Sequence, residues 1–89
     1  MDAPGDRQRM IRSLRLLRAS YRSAYESVAA TEGDAGERSS RLLKLLQRTG
    51  DLLDRLTPQL RRYADDGEIG ELVEEMRAEL SKRAGELQS

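Results

Sequence analysis

Eighty-nine residues bound the chain to one domain, and a composition that is 37% hydrophobic, with no Phe, no Trp and three Tyr, leaves leucine as the main material of a thin core. The absence of Cys excludes disulfides, thiolate metal sites and a cysteine nucleophile, and the absence of His removes the commonest general base and transition-metal ligand. Sixteen basic residues cancel sixteen acidic ones, which argues against a wholesale polyanion binder, yet the charge is graded: residues 1–31 sum to +3, 32–36 to −2, 37–64 to +4 and 65–89 to −5.

The N-terminal MDAPGDRQRM holds no apolar signal core, and no run approaches transmembrane length, so the sequence reads as cytoplasmic with no transmembrane segment. Pro4 and Gly5 form a lead-in, and Asp6 can cap a first helix expected over about 7–30. Met10, Leu14, Leu17, Tyr21, Ala24 and Val28 recur at spacings of four and three, the stripe of a helix that faces a partner. Ile11 and Leu16 fall off that stripe and read as singly exposed apolar residues. Tyr21, Tyr25 and Tyr63 read as core residues with the hydroxyl at the rim.

Residues 31–36, TEGDAG, carry two glycines and two acids and read as a loop, with Asp34 and Glu37 in the spacing of a capping box. Residues 41–63, RLLKLLQRTGDLLDRLTPQLRRY, then hold eight of the fourteen leucines. Leu42, Leu46, Thr49, Leu53, Leu56, Leu60 and Tyr63 alternate four and three, and Leu43, Leu45 and Leu52 widen the apolar face to about half the helix circumference. That width fits a central helix touching two neighbours. The phase runs through Gly50 and Pro58 without a slip, which predicts one helix over 37–64 kinked near Pro58; the alternative is a new short helix with Thr57 as N-cap and Pro58 at its first position.

Asp65-Asp66-Gly67 is expected to end this helix, with Gly67 as a left-handed cap and Asp66 capping a third helix over about 68–86. Ile69, Val73, Met76, Leu80 and Leu87 form its stripe, with Leu72 alongside and Arg83 at the position that would complete it; fraying is expected after Gly85. The fold class is therefore all-α: an antiparallel three-helix bundle, or a helical hairpin with a third helix docked on it. Its coiled-coil-like seams and thin core leave room for self-association. The core or interface seam is read as Leu14, Leu17, Tyr21, Leu42, Leu46, Leu53, Leu56, Leu60, Val73, Met76 and Leu80.

Two charged clusters are the candidates for chemistry. Arg7, Arg9, Arg12, Arg15, Arg18 and Arg22 occupy sixteen residues with no acid between Asp6 and Glu26 and are read as spreading over the arc opposite the stripe. Such a face, with Arg9, Arg12, Arg15, Arg18 and Arg22 as partner-binding residues, could contact nucleic-acid phosphates or acidic lipid. The plainer reading pairs it with acids of the third helix or of a partner, and zero net charge, no interleaved aromatics for base stacking and no positioning-and-reading helix turn favour that reading. Glu71, Glu74, Glu75 and Glu79 form a candidate acidic face; pairs one turn apart could share a hard cation, but no E-x-x-H motif of a di-iron site exists, and a solvated face is favoured.

Catalysis would have to rely on hydroxyls without a histidine base or on positioned Arg and Glu groups alone. In size and helix count the chain resembles the small all-helical chorismate mutases, with no motif in common; the resemblance implies an electrostatic catalyst, the most remote of the alternatives. The expectation is no enzyme, no cofactor and no metal, but a helical protein–protein interaction module: an adaptor, assembly factor, secretion-type chaperone or regulatory subunit acting on a protein partner or a second copy. A nucleic-acid-binding regulator using the first helix is the alternative.

Overall fold

The computed structural model describes residues 4–88. Three long helices and one short one account for most of them: α1 Pro4–Ala29, α2 Ala35–Arg55, α3 Thr57–Leu60 and α4 Gly67–Gln88, with a 3-10 turn at Arg61–Tyr63 between the last two. There is no strand among the described residues. α1, α2 and α4 pack on one another in an up-down-up bundle, a rod of 52 × 21 × 18 Å. Its radius of gyration, 14.9 Å, exceeds the roughly 12 Å of a compact chain of this length, because every long helix runs most of the length of the rod.

The joints follow from local chemistry. Gly33, at φ 133°, makes the turn after α1 in a region that side-chain-bearing residues rarely enter. Asp34 then caps α2, its carboxylate accepting from the backbone N–H of Gly36 at 2.7 Å and of Glu37 at 3.2 Å. Asp66 does the same for α4, accepting from Glu68 and Ile69 at 3.1 and 3.2 Å. Asp6, in contrast to the sequence expectation, is not a cap: α1 begins at Pro4 and places Asp6 in its first turn, where a carboxylate still complements the helix dipole. Gly67 is not a left-handed cap either; it has an ordinary φ and is the first residue of α4, which continues as helix through Gln88, past Gly85.

The middle of the chain differs from the continuous kinked helix expected over 37–64. Pro58 lacks an N–H and crowds the carbonyl of Asp54, so α2 stops at Arg55. Leu56 forms the joint, its N–H turning back to Leu53 O at 3.1 Å and its carbonyl accepting from Leu60 at 2.9 Å. The new helix is thus capped one residue earlier than Thr57, with Pro58 in its first turn. The apolar phase nevertheless crosses the break: Leu42, Leu46, Thr49 and Leu53 are buried, and Leu56, Leu60 and Tyr63 pack half-buried against the core. Thr49, the buried polar member, donates its hydroxyl to Leu45 O at 2.8 Å, so its burial leaves no orphan donor.

The core runs along the rod axis. Leu14 and Tyr21 from α1, Leu46 and Leu53 from α2, and Ile69, Met76 and Leu80 from α4 are buried together, with Met10 near the α3 end. Leu17, Val73, Leu72, Tyr25 and Leu87 close its edges. Ile11, expected at the surface, is 8% exposed and belongs to this core. The expectation fails because α1 faces two helices and not one, so its buried arc is wider than a single stripe. Leu16 is 65% exposed.

Candidate interaction surface

A three-helix rod has three flanks, each where two helices run side by side, and the charged and exposed side chains of this chain divide among them. The flank between α1 and α4 is ionic. Arg7 joins α1 to the cap of α4, with Nε 2.5 Å from Asp66 Oδ2, and Nη2 3.2 Å from Asp66 Oδ1 and 2.9 Å from Glu68 Oε2. Arg15 reaches Glu68 at 3.4 Å, Arg18 reaches Glu75 at 3.6 Å, and Arg22 grips Glu79 with two arms, Nε at 3.0 Å and Nη2 at 2.5 Å. The residue numbers rise together on both helices, so α1 and α4 are parallel neighbours, both antiparallel to α2.

Glu79 is the densest point of this flank. It accepts from the buried Tyr21 hydroxyl as well as from Arg22, and Arg83 Nε lies 4.0 Å away. Arg83 in turn lays its guanidinium over Tyr25, 4.2 Å from the ring centroid, and 5.7 Å from that of Tyr21. An arginine thereby fills the stripe position that sequence leaves without an apolar residue, its charge resting on aromatic faces and its stem covering the seam. The hydrogen bonds to Arg7, ahead of the backbone N–H of Ile69, hold the Asp66 carboxyl below the usual carboxylate range, and the same contacts raise Arg7 above its ordinary value.

The arginine arc is thus not the uniform outward face read from the sequence. Arg7, Arg15, Arg18 and Arg22 face α4, while Arg9 lies near Asp6 at 4.0 Å and Arg12, without an ion pair among the described residues, borders the hollow that Arg7, Arg15 and Glu68 share. Of the acidic candidates, Glu75 and Glu79 meet those arginines, and Glu71 and Glu74 stand exposed on the outside of α4. Among the described residues no group of three or more potential ligands converges on a cation. One sign of this pairing was present in the sequence. Arg7, Ile11, Arg15, Arg18 and Arg22 are spaced four, four, three and four, and Glu68, Leu72, Glu75 and Glu79 four, three and four: two complementary stripes, each with an apolar residue inside it.

The flank between α2 and α4 is nearly uncharged. Leu43, Leu46, Gly50, Leu80 and Ala84 line a groove of about 310 Å³, bordered by Arg77, whose Nη1 lies 3.0 Å from Asp54. The flank between α1 and α2 carries the two most exposed large apolar residues, Leu16 at 65% and Leu52 at 40%. Leu52 sits in a shallow hollow of α2 with Lys44, Gln47, Arg48, Asp51 and Arg55 around it.

The seam residues distribute as follows. Leu14, Tyr21, Leu42, Leu46, Leu53, Met76 and Leu80 are buried, and Leu17, Leu56, Leu60 and Val73 are half-buried against them. They hold the rod together. No helix among the described residues is long and apolar enough to cross a membrane. Comparison with known proteins matches the chain to no family model, no curated protein and no solved structure.

Proposed function

We propose that the chain is a non-enzymatic helical protein–protein interaction module, of the adaptor, assembly-factor, secretion-type chaperone or regulatory-subunit kind, working in the cytoplasm on a protein partner or a second copy. The observation that carries this reading is the division of the arginine arc. Four arginines that could grip phosphates are held by carboxylates of α4, while large leucines stay outside on the opposite flank. Phosphate binding by α1 would have to break those pairs first, whereas docking of an amphipathic partner would cover apolar surface already available.

The test is reconstitution. The purified chain is expected to form a complex of fixed stoichiometry with a copurifying protein, or with itself, when light scattering is followed across concentration. A chain that stays a monomer and joins no protein would overturn the reading. Duplex DNA binding with a steep salt dependence, lost on replacing Arg12, Arg15 and Arg18 by Gln, would replace it with the nucleic-acid regulator.

A further inference from the structure

We infer that the flank between α1 and α2 is a docking site for an acidic amphipathic helix of another protein, one carrying apolar side chains at i, i+3 or i+4, and i+7 bordered by Asp or Glu; this rests on the interaction-module reading. At about 100° per residue, Leu16 of α1 and Leu52 of α2 lie on the side of each helix that borders the other and is turned away from α4. Between them α1 offers only the small Ser13 and Ser20, and α2 the half-buried Leu45. Small side chains between two leucines suit a helix laid along the flank, as ridges of one helix settle between those of two others.

Charge selects the occupant. Arg9, Arg12, Lys44, Arg48 and Arg55 are exposed around these leucines, against Asp51. Among the described residues Arg12, Lys44, Arg48 and Arg55 make no ion pair, although the arginines facing α4 do. The molecule already contains the matching half of such an interface: α4 presents an apolar stripe bordered by Glu68, Glu75 and Glu79 to the apolar and arginine-bordered face of α1. The outer flank repeats the receiving pattern and has no helix on it.

A second copy fits less well. Two such flanks face to face would set cation against cation, and the outer side of α4, with Glu71, Glu74, Ala78 and Lys82, supplies charge but no large apolar side chain to cover Leu16 and Leu52. Nucleic-acid phosphates would satisfy the cations and leave the leucines in water.

The test uses a fluorescein-labelled peptide with the sequence of residues 66–88 of this chain, an acidic amphipathic helix, titrated with the full-length protein and followed by anisotropy. Exchange with the protein's own α4 is suppressed because a tethered helix competes at roughly millimolar effective concentration. The wild type is expected to bind one peptide saturably, and Leu16→Glu/Leu52→Glu and Arg12→Glu/Arg48→Glu are each expected to weaken binding at least ~10-fold, with helix content by circular dichroism unchanged. All four positions are exposed, so the variants should fold.

No binding by the wild type, or equal binding by the variants, would overturn the assignment of this flank. So would loss of binding to phosphatidylglycerol vesicles or duplex DNA in the same variants with no peptide bound. If a reconstituted partner complex survives these substitutions, only the flank is wrong; if no protein complex forms at all, the module reading falls with it.

Discussion

Arg7 and Asp66 meet in a two-point ion pair, Nε to Oδ2 at 2.5 Å and Nη2 to Oδ1 at 3.2 Å, across 59 residues of chain. The same Asp66 oxygen that Arg7 Nη2 touches also caps α4 through Glu68 and Ile69. One carboxylate thus starts α4 and sets it beside the first turns of α1. Ion pairs at this level of exposure add little stability each, but they fix which helix face meets which and in what register.

Asp66 should make stability acid-sensitive. Its carboxyl is held below the usual range by Arg7, so the stabilisation is present above the unfolded carboxylate value of about 3.9 and is lost as pH falls through the lower folded value. Thermal melts from neutral to strongly acid pH are expected to show Asp66→Asn below the wild type near neutrality, with the gap closing below about pH 4. A gap that stays constant across that range would count against the pairing.

Tyr21, 2% exposed, donates its hydroxyl to Glu79, which Arg22 also grips. Removing the acceptor leaves a buried donor without a partner, whereas removing the donor does not, so Glu79→Ala should cost more than Tyr21→Phe, about 1–3 against about 1 kcal/mol in urea unfolding. In a double-mutant cycle the two should be strongly non-additive. Additive effects would mean that the hydroxyl is satisfied elsewhere.

Leu52 and Leu53 are adjacent in sequence and opposite in role, 40% and 0% exposed. Leu53→Ala should cost roughly 2–5 kcal/mol, the range for deleting a buried leucine, while Leu52→Ala should stay within about 0.5 kcal/mol. Equal costs in urea titrations would contradict the helical phase of α2.

Gly50 lies inside α2 with an ordinary φ and nothing within 4 Å of where a Cβ would stand. Gly50→Ala should therefore stabilise the protein by about 1 kcal/mol, a rise in Tm of about 4–8 °C for a domain of this size. Gly33→Ala should lower Tm, because its φ of 133° strains any side chain. A fall in Tm for Gly50→Ala would show that the groove beside it is narrower than the structure has it.

By itself the sequence determined the three long helices, though not the break at Leu56, and the main inward stripe of each, because four-three spacing is a local property that a helix converts directly into a face. Leu14, Leu46, Leu53 and Met76 could be placed in the core on that ground alone, and the cap at Asp34 could be read from its neighbours. Only the tertiary structure decided what the charged arcs are for. Whether Arg15 and Arg22 look at water or at Glu68 and Glu79 depends on a helix more than fifty residues away; the matching stripes of α1 and α4 are compatible with that pairing, but neither stripe by itself sets the two helices side by side. The same holds for Ile11, which falls off the stripe as Leu16 does and yet is buried, because α1 packs against two helices.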